Sequence, residues 1–218
     1  MALGNAAGRS GAKGRMSTPL MVMVAVGVTL VAVVVFVAVR MGGEGPDAVI
    51  VGDSVTDDAR EDIFDRVEGR PQVVAVPDAR SVDMLAQLEI AVEERTSAGQ
   101  DLEQVAVLVG YNDLTRGPLD EPALEEMVAE TARFECAVWL TLPDAEGLAL
   151  DPREAVAWND RLAGLVDRHD TVDLDRGWQE AVSADGGDRL LGDDRLHPNE
   201  AGTETLAEVY RDALARHC

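Results

Sequence analysis

Lysine is all but missing. Among 19 basic side chains Lys13 is the only lysine, so the chain beyond it has no lysine chemistry open to it. Positive charge of any kind is scarce after residue 40: all 41 acids fall there, with only 15 of the 19 bases, for a formal charge of −26. A surface of that sign repels phosphate backbones and anionic head groups, which excludes nucleic acid as a partner. The plainer reading of the acidity is a well-solvated surface. Cysteine is nearly absent as well. Cys136 and Cys218 stand alone with no CxxC spacing, which argues against zinc and leaves a choice between one disulfide and two free thiols. There is no internal repeat and no low-complexity tract.

What is present begins with a long apolar run. Residues 20–39 carry no charge and are rich in Val, Leu, Met and Ala. As a helix at 1.5 Å per residue they span roughly 30 Å, the thickness of a bilayer's hydrocarbon core. A cleavable signal peptide has a shorter apolar region, about 7–15 residues, and a small-residue cleavage site. The run therefore predicts an uncleaved transmembrane anchor over 19–40. Arg9, Lys13 and Arg15 precede it without an acid, whereas Glu44 and Asp47 follow it. The positive-inside rule then puts the tail, 1–18, in the cytoplasm and residues 47–218 outside a single-pass cell-membrane protein. The linker, 41–46, reaches at most about 25 Å.

From residue 47 onward, runs of strand length alternate with segments of helical period. Ala48-Val-Ile-Val51, closed by Gly52, reads as a strand buried on both faces. A helix over 56–67 follows and stops at Gly69. A strand at 72–76 leads to a helix at 82–96, capped by Ser81 and stopped by Gly99. A strand at 105–109 leads to a helix at 122–134, with Asp120 as cap and Pro122 in the first turn. A strand at 136–142 precedes Asp151-Pro152, another cap and first-turn proline, and a helix to about 168. A fifth strand, 171–174, a Gly/Asp-rich loop and a last helix, 200–217, complete the chain. Five βα alternations predict a flavodoxin-like three-layer α/β/α sandwich with a five-stranded parallel sheet.

Three features then fall at one edge of the sheet, the carboxyl edge where open α/β sheets bind ligands. Ser54 ends the first strand in Gly52-Asp53-Ser54, although Gly-Asp-Ser alone reads as well as a helix cap. Asn112 follows the third strand in Gly110-Tyr111-Asn112-Asp113, by itself a turn motif. Asp194-Arg195-Leu196-His197-Pro198 sets a carboxylate three residues before an imidazole. Together they supply a hydroxyl, a base with an acid to orient it, and an amide donor. That is the set acyl transfer through a serine requires, since a serine hydroxyl is inert until an imidazole takes its proton.

In these blocks, their order and their spacing the chain resembles the SGNH hydrolases, also called GDSL esterases and lipases, from residue 48 to about 210. The resemblance implies a flavodoxin-like fold, no metal or organic cofactor, and ester hydrolysis through an acyl-enzyme. It implies Ser54 as nucleophile, His197 as general base and Asp194 as its partner, with Asn112 and the Ser54 N–H as oxyanion donors. The family's second block normally gives a glycine N–H to the oxyanion. Here residues 76–85 hold no glycine, and Ala79 takes the place, its N–H the third expected donor.

The remaining candidates read as structural. His169 closes a helix and His217 ends the chain, positions that suit a cation near a helix dipole. Asp185, Asp188 and Asp193 lack EF-hand spacing and read as a solvated loop rather than a calcium site. Trp139 and Trp158 read as core or rim; Trp178 is a candidate floor for an acyl or sugar pocket. The topology also bears on the cysteines. Cys136 opens its strand, and the last helix must finish at the edge opposite His197, so both thiols lie on one side of the domain. This predicts a Cys136–Cys218 disulfide if the Cα atoms come within about 7 Å.

The expected function is therefore that of a membrane-anchored, extracytoplasmic serine ester hydrolase. Its expected partners are the membrane and an acyl ester, on an O-acylated envelope glycan or a lipid. An acyl transferase to a sugar hydroxyl and a non-catalytic binding module are the alternatives. A receiver-like signalling domain, suggested by Asp53 at a strand end, fails for want of a lysine.

Overall fold

The computed structural model describes residues 48–69, 71–184 and 186–218. The expected tail, membrane span and linker lie outside the described residues, as does Asp185. Among the described residues no helix is long and apolar enough to cross a membrane.

Five strands form one parallel sheet in the order β2-β1-β3-β4-β5. They are β1 (Ala48–Gly52), β2 (Gln72–Ala75), β3 (Gln104–Leu108), β4 (Cys136–Leu140) and β5 (Val172–Asp175). The order reverses between β1 and β3, which opens a crevice at their carboxyl ends. Every residue of β1 is buried, as an unalternating apolar run requires when helices cover both faces, whereas the edge strand β2 is half-buried throughout. Gly52 pairs with Ala75 on one side and Leu108 on the other, so the loops after β2, β1 and β3 leave the sheet side by side.

Helices α3 (Ser81–Ser97), α5 (Glu121–Thr131) and α6 (Pro152–Val166) pack as one layer; α2 (Arg60–Arg66), α7 (Gly177–Ser183) and α8 (Glu200–His217) pack as the other. Asp120 and Asp151 cap α5 and α6 as expected, accepting from Ala123 N at 3.1 Å and Arg153 N at 2.8 Å.

Four local readings change. The helix expected over 56–67 is two, α1 (Ser54–Asp58) and α2, separated at Ala59, where ψ is 4°. Ser81 does not cap α3 but is its first helical residue, because its hydroxyl and N–H both turn to Asp113. The turn expected at 110–113 opens a five-residue helix, α4 (Tyr111–Thr115). The Gly/Asp-rich loop begins with α7, whose Trp178 is fully buried.

Cys136 and Cys218 are joined, their Cα atoms 5.7 Å apart, tying the end of α8 to the start of β4. Beside them His217 Nε2 meets Asp175 Oδ2 at 3.1 Å and Arg216 also reaches that carboxylate, so both side chains are held structurally.

Candidate active site

Ser54 stands where β1 gives way to α1. Gly52 makes the junction tight: a Cβ there would lie 1.9 Å from Thr56 Oγ1, so only glycine lets the helix start this close to the strand end. Asp53 caps α1 by accepting from Val55 N at 3.1 Å. Ser54 is the first helical residue, and its N–H, like the others of a first turn, has no acceptor within the helix.

His197 reaches it from a loop just before α8. Its Nε2 lies 3.0 Å from Ser54 Oγ and its Nδ1 2.7 Å from Asp194 Oδ2. The other Asp194 oxygen accepts from Leu196 N and His197 N, both at 3.0 Å, so the carboxylate is fixed by the backbone it precedes. That turn needs Arg195 at φ 61°, a left-handed conformation costing a non-glycine residue roughly 1 kcal/mol. Arg195 is held there by Asp188 Oδ1 at 2.6 Å, Gly147 O at 3.2 Å and the Gly186 carbonyl.

Burial acts on Asp194 in the raising direction, but the hydrogen bonds from the His197 ring and from Leu196 and His197 N–H outweigh it and hold the carboxyl below its ordinary value. An ionised Asp194 only accepts, which puts the imidazole proton on Nδ1 and turns the Nε2 lone pair toward the serine hydroxyl. The arrangement can thus draw a proton from Ser54 while keeping a negative charge beside the imidazolium that results. Asp193, the acid next to it in the chain, is exposed and is not the residue bonded to His197.

Asn112 lies in α4, after β3, and is 5% exposed. Gly110 before that helix has φ 132°, and a Cβ would meet the Trp158 ring at 2.5 Å. One amide hydrogen of Asn112 goes to Ala79 O at 3.0 Å, leaving the second for another acceptor. Ala79 needs a correction. Its N–H, expected as a third oxyanion donor, goes to Val76 O at 3.2 Å, closing a turn with Pro77 second and Asp78 third. The positive φ of that turn, 67°, falls on Asp78 rather than Ala79. Ala79 therefore enters the site through its carbonyl, which orients Asn112.

Several carboxyls near the site are perturbed. Asp53 is fully buried, and its Oδ2 has no hydrogen-bond partner among the described residues. Burial pushes its carboxyl up to about 7; the Val55 N–H opposes the rise, Asp113 adds to it and His197 lowers it. Asp113 is raised by desolvation against the hydrogen bonds from Ser81, and Asp58 is raised mainly by desolvation, with His197 pulling the other way. Trp178 is no pocket floor: it is wholly buried and donates to Tyr111 OH at 2.7 Å, bracing the start of α4. Of the acids suggested for calcium, Asp188 pairs with Arg195, and among the described residues no group of three His, Cys, Asp or Glu side chains gathers as for a metal. Sequence reasoning missed the buried state of Asp53 and the Asp113–Ser81 contact, neither of which leaves a local pattern.

A parallel α/β/α sandwich with a serine, an imidazole and a carboxylate in line at its carboxyl edge is the build of an SGNH-type acylhydrolase. Residues 50–205 match the GDSL-like lipase/acylhydrolase family, and the chain belongs to it. It is accordingly an ester-hydrolysing enzyme. Similar solved structures include the lipase/acylhydrolase from Enterococcus faecalis, 21% identical, with TM-score 0.58, covering 78% of this chain and 96% of that one. The acetylxylan esterase from Geobacillus stearothermophilus is 20% identical, with TM-score 0.55, covering 79% and 95%. The C-terminal catalytic domain of the Streptococcus pneumoniae peptidoglycan O-acetyltransferase is 15% identical, with TM-score 0.59, covering 79% and 94%. No curated protein matches the chain.

Proposed function

We propose that this enzyme is anchored in the cell membrane by residues 19–40 and removes short acyl groups from O-acylated envelope glycans outside the cell. The observation that carries the chemistry is the line from Ser54 Oγ to His197 Nε2, 3.0 Å, and from His197 Nδ1 to Asp194 Oδ2, 2.7 Å. Ser54 Oγ attacks the ester carbonyl as His197 takes its proton. The tetrahedral oxyanion is held by the Ser54 N–H and the free amide hydrogen of Asn112. Collapse expels the alcohol, which receives the proton from His197, and a water activated by the same imidazole then frees the acid.

The glycan reading is supported by the openness of the site, where the His197 and Asp194 side chains are 36% and 53% exposed and so admit a bulky polymer. The acetylxylan esterase and the peptidoglycan O-acetyltransferase on the same fold point to acetylated sugars. Transfer of the acyl group to a sugar hydroxyl needs only that the sugar displace water from the same acyl-enzyme.

The test is labelling of the full chain with a fluorophosphonate probe, which reacts only with an activated serine. Labelling and acetate release from an acetylated glycan are expected in the wild type and absent in Ser54→Ala. A Ser54→Ala variant that still releases acetate would sink the assignment. Recovery of the protein in carbonate-washed membranes, with the domain open to external protease, checks the location.

A further inference from the structure

The geometry points to Asp113 and Ser81 as positioning residues that aim the Asn112 amide. The inference rests on the reading of Asn112 as an oxyanion donor.

Helix α4 is five residues long and follows a glycine at φ 132°. A single turn of that length has almost no stability of its own, so its side chains are placed by what grips it. Besides Tyr111, whose hydroxyl accepts from Trp178, two adjacent residues do so. Asn112 donates to Ala79 O at 3.0 Å. Asp113 accepts from Ser81 N at 2.9 Å and from Ser81 Oγ at 2.7 Å. Both partners lie on one stretch, Ala79-Arg80-Ser81, so three hydrogen bonds join two short segments that follow different strands.

The lock is dry: Ser81 is wholly buried and Asp113 is 1% exposed. Bonds to a desolvated carboxylate are shorter and stronger than neutral ones, and losing one strands its partner. Arg80, 3.7 Å away through Nε, is the cation beside this carboxylate. Nor is Ser81 occupied as a helix cap, since Arg80 takes that position. Its hydroxyl is spent on Asp113 alone.

The consequence concerns Ala79 O. That carbonyl closes no helical hydrogen bond, and it holds Asn112 only while the chain two residues on is pinned. Releasing Ser81 lets the carbonyl drift, and the second amide hydrogen of Asn112 drifts with it. Misplacement of a catalytic group by an ångström costs about 10²-fold in rate.

The experiment compares Ser81→Ala and Asp113→Ala, each alone and in the Asn112→Ala background, using kcat, KM and melting temperature on p-nitrophenyl acetate with the full chain. Alone, Asp113→Ala is expected to lower kcat about 10²-fold, and Ser81→Ala, which keeps the N–H bond, about 10-fold, with KM changed less than about twofold. In the Asn112→Ala background both losses should shrink to under about twofold, because there is no amide left to aim. Asp113→Asn should recover most of the rate, since its oxygen accepts from Ser81 N–H and its amide donates to the hydroxyl. A role in stability alone would lower the melting temperature and leave kcat of the folded enzyme untouched. Equal losses in both backgrounds, or unchanged kcat, overturn the inference. Should Asp113→Ala not fold, Ser81→Ala decides by the same comparison. If Asn112→Ala itself leaves kcat unaltered, the oxyanion reading fails first and the positioning role falls with it.

Discussion

Replacing Asp53 by Asn should change how stability depends on pH, by an amount the structure sets. The carboxyl is fully buried with one oxygen unpartnered, and its pKa stands at about 7 against an ordinary value of 3.8. Between those values the folded protein keeps a proton that the unfolded chain has released. Stability from this group is therefore full below about pH 4, falls as pH rises, and levels off above about 7. Three units at about 1.4 kcal/mol each make a loss of about 4 kcal/mol across that window. Asn caps a helix as well as Asp does and does not titrate. Its buried amide carries a penalty of its own, but one that is the same at every pH. The quantity to measure is the difference in unfolding free energy between wild type and Asp53→Asn, from urea melts at pH 4.5 and pH 8. Asp58 and Asp194, whose carboxyls are perturbed but do not act on Asp53, cancel in that difference. The variant should gain on the wild type by several kcal/mol as pH rises. Parallel curves would refute the reasoning and show that Asp53 is ionised in the folded protein throughout.

Asp194→Asn leaves the oxygen bonded to Leu196 and His197 N–H in place and turns an amide donor toward Nδ1, so the imidazole takes the wrong tautomer; a loss of about 10⁴ in kcat is expected from steady-state rates. On the proposed reading of Asn112 as an oxyanion donor, Asn112→Ala should cost about 10²–10³ in kcat with little change in KM, because such a donor meets the charged oxygen chiefly in the transition state. Ala79→Gly should bring no gain in rate, because its N–H is engaged by Val76 and its φ is not positive; a gain would restore the N–H to the oxyanion site. Reducing the Cys136–Cys218 disulfide frees a loop with a sequence separation of 82, worth about 4–5 kcal/mol of chain entropy, and should lower the melting temperature while leaving kcat of the folded enzyme intact.

Sequence alone determined whatever depends on neighbours in the chain. The unalternating run at residues 48–51, the proline-and-acid starts of α5 and α6, and the three-residue spacing of Asp194 and His197 express local sterics and hydrogen bonds, and the Asp194 turn is closed by N–H groups two and three residues on. Tertiary structure decided the rest. Ser54 and His197 meet across 143 residues, Ser81 and Asp113 across 32. Only the completed fold removes water from Asp53, gives the Ala79 N–H to Val76 and hands its carbonyl to Asn112. A contact between distant segments follows no helical or strand period, so it has no imprint in the sequence until packing brings the two chains of atoms together.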